Sequence, residues 1–336
     1  MSATAEAPPL RKRRRKISGL ARQEAGWGLA FLSPWLIGLL VFTLLPIVAS
    51  LIFSFTNFNL TKPDEVRFIW FDNYVRLVSD PITQISTLVT LRFAAIAIPV
   101  GVGWPLFLAV LLNSKYLIGK RFFRTLFFMP YMVPLVSAVF IWAGVLNPET
   151  GWLNRLLGMI CVPEWLANLF GRTDWIGQCV QGPDWINSVA WIYPTLVIIG
   201  LWGVGNMMMY MLAGLQGVPS ELYEAARVDG AGPLTMFFRI TLPMISPVIF
   251  YNLVLTTIGV FQYFLVAYVL SNGTGRPGNA TLFYAMHLYR TAFSYSEMGY
   301  GSALAWAMFI VALIVTIILF GTQRYWVYYA GGEERR

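Results

Sequence analysis

The polar segment from Glu221 to Pro243 has the residue types and spacing that come nearest to a chemical site, and it separates two long apolar segments. Glu221 and Glu224 stand in the first turn of a predicted short helix, where carboxylates interact favourably with the helix dipole. Ala225 and Ala226 follow and leave a low surface on which another protein can pack closely. By their composition alone these residues favour an ordinary amphipathic linker, and the alternative is a surface that recognises a protein partner.

The sequence also predicts both ends of this helix. Ser220 can act as the N-cap, because a serine hydroxyl accepts a hydrogen bond from backbone N–H groups of the first turn. Gly230 can adopt a positive φ and end the helix in a sharp turn. Pro243 then marks the start of the next apolar segment, so that the polar loop covers residues 217–242.

The sequence lacks the residue sets that usually carry catalysis. We find no Ser/His/Asp set, no cluster of metal ligands and no GxxxxGK[ST] loop for ATP. The one histidine, His287, has no carboxylate or cysteine cluster beside it in the sequence, and we expect it to be structural. We predict that the chain is not an enzyme and that it holds no metal or cofactor of its own.

The composition predicts a membrane protein. Hydrophobic residues make up 57% of the chain and charged residues 12%, whereas soluble domains carry about 25% charged residues. A spanning helix needs roughly 20 apolar residues, and it satisfies its own backbone hydrogen bonds in lipid. We therefore predict an all-α, polytopic membrane protein. Its six spans are residues 28–56, 84–112, 124–146, 187–216, 243–270 and 301–327.

Basic residues predict the orientation of these spans. With six spans, the basic tail 1–27 and the tail 328–336 lie on the same side. That side carries 16 of the 24 Lys and Arg residues, the other side carries 7, and Arg92 lies inside the second span. The positive-inside rule then places both termini and the 217–242 loop in the cytoplasm. The net charge of +8 suits anionic lipid headgroups rather than nucleic acid, because no basic folded domain is expected.

The predicted spans contain few groups that could use an ion gradient. No Asp, Glu or His lies in the middle of a span, whereas proton-coupled transporters need such groups as relays. We therefore expect the energy for transport to come from another protein. A self-contained secondary transporter or channel for a small polar solute is the main alternative, and a membrane enzyme is a weaker one.

Spans four to six are rich in aromatic and uncharged polar residues, which could stack against and hydrogen-bond a neutral polyhydroxylated solute. The alternative is that these groups form hydrogen bonds between helices and hold the bundle together. The candidate pathway residues are Trp202, Asn206, Tyr210, Tyr251, Asn252, Gln262, Tyr263, Ser302 and Trp306.

The long external loop 147–186 contains both cysteines, Cys161 and Cys179. We expect two unpaired thiols, and a disulfide in an oxidising compartment is the alternative. The loop also contains four tryptophans, which indicate surface helices at the bilayer boundary, contact with an external partner protein, or both. These are Trp152, Trp165, Trp175 and Trp185.

Several motifs resemble those of ABC importer permeases. Glu224-Ala225-Ala226, then Gly230 after three residues and Ile240-Thr241-Leu242-Pro243 after nine more, is similar to the cytoplasmic EAA motif of that family. Asp229 occupies the common position before the glycine. Other segments are similar to the first of the two permeases of the carbohydrate-uptake branch: 34–38, 54–56, 71–74, 212–216, 289–293 and 299–304. The segment 273–278 departs from the family pattern, because it contains Arg276 in place of a plainer Gly-rich loop.

The resemblance implies a fold, partners and a set of site residues. The expected fold is the type I ABC importer permease, in the plasma membrane of a bacterium or archaeon. The expected partners are a second, homologous permease, an ABC ATPase dimer that binds ATP and Mg, an external solute-binding protein and membrane lipid. The solute would be a sugar or a sugar-like compound. The ATPase-coupling residues would be Glu221, Glu224, Ala225, Ala226, Asp229, Gly230, Ile240, Leu242 and Pro243.

Overall fold

The computed structural model describes residues 19–161 and 179–329, and regular secondary structure in these ranges is helical. Isolated backbone bridges join Thr56 to Phe68 and Cys161 to Cys179. The chain divides into two units, Met1–Ile52 and Phe53–Arg336. The prediction of an all-α protein is confirmed for the described ranges.

The first helices are α1 (Gly19–Leu39) and α2 (Leu45–Ser54), joined by a π-helical turn at Leu40–Leu44. The helix therefore begins within the segment predicted as the tail 1–27, and residues 1–18 of that tail lie outside the described ranges. The following helices are α3 (Asp72–Ser79), α4 (Pro81–Asn113), α5 (Lys120–Phe128), α6 (Leu135–Val145), α7 (Trp152–Gly158), α8 (Ile192–Trp202), α9 (Gly205–Gln216), α10 (Ser220–Val228), α11 (Pro233–Met236), α12 (Leu242–Phe261), α13 (Leu265–Ser271), α14 (Tyr284–Tyr289) and α15 (Met298–Trp326).

Four helical stretches among the described residues are long and apolar enough to cross a membrane. They are Gly26–Ser54, Pro81–Asn113, Pro233–Ser271 and Met298–Trp326. Two pairs of helices also qualify if each counts as one span, and both pairs are bent. Lys120–Met132 and Leu135–Val145 meet at 104°, and α8 and α9 meet at 58°. The predicted six spans are reached in this way, but the third and fourth are broken rather than straight.

The two breaks have local causes. Val133 has extended backbone angles (φ −76°, ψ 130°) because it precedes Pro134, whose ring disfavours helical geometry at the residue before it. The second break lies at Gly203–Val204, immediately before Gly205. A Cβ on Gly205 would lie 2.6 Å from the Phe127 carbonyl oxygen and 2.7 Å from the Phe128 Cα. Glycine therefore allows α9 to approach the backbone at the end of α5.

Two π-helical turns precede Leu-Pro pairs. The Leu45 N–H bonds to the carbonyl five residues back at Leu40, and the Leu242 N–H bonds in the same way to Phe237. Pro46 and Pro243 follow directly, and proline supplies no N–H and crowds the preceding turn of a helix. The wider π turn relieves this crowding, so the helix continues through each proline. The helix that contains predicted span five thus begins at Pro233, ten residues before Pro243.

The long helix α4 lies at the centre of the second unit and packs against α8, α9, α12 and α14. One buried cluster joins α4 to α6, α8, α13 and α14 and includes Phe93, Ile192 and Phe283. A second cluster joins α4 to α9 and α12 and includes Leu112 and Met211. Leu117, Phe123 and Phe127, from the start and inner face of α5, pack on this second cluster, as does Val218 of the 217–242 loop.

Candidate functional site

Helix α10 contains the candidate coupling residues Glu221, Glu224, Ala225 and Ala226. Its first residue is Ser220, preceded by Pro219, and no side chain caps its N-terminus. The prediction of Ser220 as the N-cap is therefore wrong, since the extended conformation of an N-cap is taken by Pro219 (φ −59°, ψ 133°).

The C-terminus of α10 ends as the sequence predicts. Gly230 has φ +78°, its N–H bonds to the Arg227 carbonyl at 3.0 Å, and the Ala231 N–H bonds to the Ala226 carbonyl at 2.8 Å. These two bonds form a Schellman motif, which satisfies carbonyls that the helix end leaves free. A Cβ at position 230 would meet no atom within 4 Å, so the need for glycine comes from the backbone angle alone.

The outer face of α10 is open. Glu221, Glu224 and Ala225 are exposed, and the Val228 side chain is 89% exposed. The inner face is held by Tyr223, whose hydroxyl lies 2.9 Å from the Thr241 Oγ1 at the start of α12. Helix α10 thus has an exposed outer face, and the hydroxyl contact of Tyr223 joins it to the long helix that includes α12.

Behind α10, a cavity of about 480 Å³ brings together several candidate coupling residues. Ala226, Asp229 and Gly230 line it from the α10 side, and Arg239 and Ile240 line it from the other. Leu242 and Pro243 are half-buried in the continuing helix rather than in the loop. The structure therefore brings Ile240, from the second half of the motif, to the same cavity as Ala226, Asp229 and Gly230.

Two adjoining cavities among the spans are lined by aromatic residues. The larger, about 440 Å³, is lined by Trp104, Trp142 and Trp202, and the rings of Trp142 and Trp202 are edge-to-face at 6.0 Å. The Trp142 Nε1 is buried without a hydrogen-bond partner among the described residues. Sequence reasoning identified Trp202 but missed Trp104 and Trp142, which lie in spans two and three.

The smaller of the two aromatic cavities, about 150 Å³, is lined by Phe93 and Tyr263 and shares Leu201 and Val204 with the larger one. The Tyr263 ring packs at 4.7 Å from Phe93. The Tyr263 hydroxyl is also buried without a hydrogen-bond partner in the described ranges. Each cavity thus has among its lining residues one with a buried polar group that lacks a hydrogen-bond partner in the described ranges.

The other candidate pathway residues do not converge on these cavities. Tyr210 and Tyr251 form an edge-to-face pair at 5.7 Å, and both are partly exposed. Asn252 is fully buried, and neither atom of its amide has a partner among the described residues. The remaining members are scattered along the helices. Asn206 is half-buried, Gln262 is exposed, Ser302 is buried, and Trp306 packs at 5.5 Å from Phe309.

A buried polar network that sequence reasoning missed joins α4, α14 and α15. The Thr83 hydroxyl donates to Asp80 Oδ2 at 2.8 Å and lies 3.0 Å from His287 Nε2. Because the one hydroxyl proton of Thr83 goes to Asp80, His287 Nε2 carries a proton and donates to Thr83. The Tyr300 hydroxyl donates to Asp80 Oδ2 at 3.0 Å. His287 is structural, as expected, but it has a carboxylate neighbour, Asp80, at 3.4 Å.

The pKa values of Asp80 and His287, which lie outside the candidate spans, shift for different reasons. Burial opposes the Asp80 carboxylate, but hydrogen bonds from Thr83, the Ile82 backbone and Tyr300 and the nearby His287 hold its pKa below the ordinary 3.8. Burial lowers the pKa of His287 below 6.5 despite the adjacent Asp80. Asp80 before Pro81 is a recognisable N-cap signal, but nothing in the sequence connects it to His287.

Cys161 and Cys179 form a disulfide. The expectation of two unpaired thiols is wrong, and the alternative is the one realised. In the same loop, Trp185 is buried and its Nε1 donates to Asn154 Oδ1 at 2.6 Å, whereas Trp152 is 69% exposed. Trp165 and Trp175 lie outside the described residues. In the described ranges, no group of three or more His, Cys, Asp or Glu residues could hold a metal ion.

The family described as "Binding-protein-dependent transport system inner membrane component" matches residues 101–327. The chain belongs to this family. It is similar to the probable ABC transporter permease protein YesP of Bacillus subtilis, with 38% identity over 95% of this chain and 97% of the relative. It is also similar to the arabinooligosaccharides transport system permease protein AraP of the same species, with 33% identity over 86% and 85% of the two chains.

Among solved structures, the permease is similar to a chain of a bacterial alginate ABC transporter crystallised with an alginate pentasaccharide-bound periplasmic protein. The TM-score is 0.73 and the identity 22%, over 90% of this chain and 96% of that one. The resemblance to the type I ABC importer fold is thereby confirmed. The chain is a multi-pass cell-membrane protein, the membrane permease subunit of an ATP-driven importer.

Proposed function

We propose that this permease moves a sugar or oligosaccharide across the plasma membrane, with both termini and the 217–242 loop in the cytoplasm. The names of two relatives support the solute class: AraP is named for arabinooligosaccharides, and SmoG of Agrobacterium fabrum, 33% identical, is named for sulfoquinovosyl glycerol. A solute that resembles glycerol phosphate also falls within the proposed class. The excess of Lys and Arg on the side of the termini supports the orientation.

ATP binding and hydrolysis, with Mg, belong in this proposal to a separate ATPase dimer. The observation that carries it is helix α10, which has an open outer face, ends at Gly230 with φ +78° and is bonded to α12 through Tyr223 and Thr241. The ATPase would contact Glu221, Glu224 and Ala225. Closure of the ATPase dimer would then displace α10 and, through it, α12.

The aromatic cavities are the proposed solute site. A sugar presents apolar ring faces to tryptophan and hydroxyl groups to hydrogen-bonding partners. Trp142 Nε1 and Tyr263 Oη are buried groups that lack partners among the residues that the structure describes. A polar group left unpaired in lipid costs several kcal/mol, so a hydroxylated solute is a suitable partner. A second, homologous permease would complete the pathway, and an external solute-binding protein would deliver the solute by alternating access.

The proposal is tested by purifying the tagged full-length chain from its source membrane and identifying what remains bound. We expect an ATP-binding subunit and a second permease, and uptake in vesicles that requires ATP and the external binding protein. The solute that the binding protein holds then identifies the substrate. Transport by the purified chain alone, without ATP, would contradict the proposal and support a self-contained transporter.

A further inference from the structure

A basic cluster precedes and begins α5. It consists of Lys115, Lys120, Arg121 and Arg124, and residues 115–124 contain no Asp or Glu. None of the four forms an ion pair with another described residue. The Arg124 Nε is buried and has no hydrogen-bond partner within the described ranges. The described part of the chain therefore supplies no counter-charge to this cluster.

Helix α5 has two apolar faces with different surroundings. Phe123 and Phe127 pack inward on the core shared by α4, α9 and α12. On a different face, Phe122 and Leu126, with Met129 of the turn that follows α5, are 66%, 43% and 57% exposed. Their spacing of four and three residues aligns them as one stripe along the helix. This outer stripe is not covered by any described residue, and Lys120 and Arg124 extend from the other side of α5.

Helices α5 and α6, which together form the broken third span, run in different directions. The bend between Lys120–Met132 and Leu135–Val145 is 104°, so α5 runs across the direction of α6. The exposed residues of α6 include Val136, Phe140 and Ile141, which suit lipid. A short helix that crosses this direction, with a basic end and an apolar stripe, has the properties of a helix at the lipid–water boundary.

We propose that residues 115–129 bind the headgroups of anionic phospholipids in the cytoplasmic leaflet. The four cations hold phosphate oxygens, and Phe122, Leu126 and Met129 lie among the acyl chains. The side of the membrane rests on the proposed orientation. Leu117 and Val218 pack on the same core cluster, so this lipid-bound element adjoins the 217–242 loop and gives α10 a fixed support during ATPase closure.

An acidic surface of the ATPase is the rival occupant. An acidic soluble partner would neutralise the cations. It would not cover the exposed apolar stripe of α5, which adjoins the apolar helix α6. The stripe is also continuous in sequence with the lipid-suited surface of α6, through Met129. Charge complementarity and this continuity together favour lipid.

The depth of α5 is measurable with spin labels on the full-length chain. Both native cysteines are bridged, so F122C, L126C and the control V228C each introduce one free thiol. In phosphatidylglycerol–phosphatidylcholine vesicles without ATPase, we expect labels at 122 and 126 to be more accessible to oxygen than to a water-soluble nickel complex. The label at 228 should show the reverse. Nickel accessibility at both 122 and 126 would overturn the proposal.

Lipid selectivity provides the second measurement. The variant K120Q/R121Q/R124Q and the control K62Q/R67Q/R276Q each lose three charges, and the control positions are exposed on the opposite side. Native mass spectrometry would compare retention of phosphatidylglycerol with that of phosphatidylcholine. Each cation near an anionic surface is worth about fivefold in binding, so we expect the first variant to lose on the order of 100-fold in selectivity at low salt. The control should lose little.

Equal losses in the two charge variants, or no loss in either, would overturn the proposal. Lipid selectivity that survives in K120Q/R121Q/R124Q, together with protection of the F122C thiol only by added ATPase, would assign this surface to the ATPase instead. Neither lipid assay contains an ATPase, so their failure leaves the proposed coupling untouched. Likewise, if the chain does not bind an ATPase, the outcome of the two lipid assays is unaffected.

Discussion

The hydroxyl groups of Tyr223 and Thr241 lie 2.9 Å apart and join the exposed helix α10 to the start of α12. Thr241 is buried, and its Oγ1 also donates to the Met236 carbonyl at 3.4 Å. Thr241 belongs to the π-helical turn Phe237–Thr241, so Tyr223 contacts this turn rather than a regular α-helix. Helix α12 runs on into the core of the second unit. A force on α10 therefore has a direct hydrogen-bonded route into the membrane bundle.

Tyr223→Phe should lower solute uptake per ATP hydrolysed while leaving insertion unchanged. The substitution keeps the ring and removes one hydrogen bond, which contributes about 1 kcal/mol, or roughly fivefold in an equilibrium. The measurement is uptake and ATP hydrolysis by the assembled importer in vesicles. Tyr131→Phe, at an exposed ring in the turn after α5, is the matched control and should match the native chain. If both variants take up the same amount of solute per ATP hydrolysed, Tyr223 does not transmit the movement of α10 to α12.

Gly230→Val should uncouple the importer, whereas Gly230→Asn should retain most activity. Position 230 has φ +78°, which costs an ordinary L-residue about 1–2 kcal/mol and a β-branched one more, but which Asn tolerates. Because a Cβ there meets no neighbour, a difference between Val and Asn reports on the backbone and not on space. Comparable uptake with Val and Asn would show that the turn is not needed for coupling.

Glu224→Lys should reduce binding of the ATPase subunit. Glu224 is exposed on the outer face of α10, and reversal of its charge places a cation where the first turn of the helix favours an anion. Glu149→Lys makes the same charge change at an exposed position in the loop after α6. Co-purification of the ATPase with each variant checks this prediction, and unchanged recovery with Glu224→Lys would contradict it.

Trp142→Phe should weaken solute binding about fivefold, because it keeps an aromatic ring and removes the unpaired buried Nε1–H. Trp27→Phe is the control, at a tryptophan 63% exposed in α1. Uptake measured at several solute concentrations would compare the apparent solute affinities of Trp142→Phe and Trp27→Phe. If the chain merely tolerates an unpaired indole, Trp142→Phe will leave uptake unchanged or increase the stability of the protein.

Acid should destabilise the network around His287. Burial holds the pKa of His287 below its unfolded value of 6.5. As the pH falls below 6.5, His287 is therefore protonated more in the unfolded chain than in the folded one. The free energy of unfolding then decreases as the pH falls. His287→Gln, which keeps a donor for Thr83, should flatten this dependence between pH 7.5 and about 5. The groups that face His287 are Asp80, Thr83 and Tyr300, with Arg76 and Arg290 nearby.

The contribution of Asp80 to stability should change in a lower pH range than that of His287. Its pKa is held below 3.8, so its contribution is present above that pH and is lost only as the pH falls through the lower, folded-state value. Thermal unfolding of the purified chain and of His287→Gln at several pH values distinguishes the two groups. An identical pH dependence in both proteins between pH 7.5 and about 5 would exclude His287 as the cause.

The sequence predicts those features that depend on residues close together in the chain. Charge-free stretches gave the number of spans, because a bilayer core requires about 20 apolar residues whatever the neighbours are. The end of α10 followed from Gly230, because positive φ is a local property of glycine. Near Pro243, the sequence did not show that the helix already begins at Pro233, since a π turn carries it through the proline.

Packing decided the rest. The sequence pointed to Trp202 but not to Trp104 and Trp142, because a cavity forms between helices whose separation along the chain carries no periodic signal. Thr83 and His287 are 204 residues apart and meet only when α14 packs on α4. Thus the sequence by itself determined an all-helical membrane protein and a short helix in the polar loop that ends at Gly230. The tertiary structure alone decided which polar groups are paired and which are buried without a partner among the described residues, because burial and hydrogen-bond distance depend on every element that packs around a site.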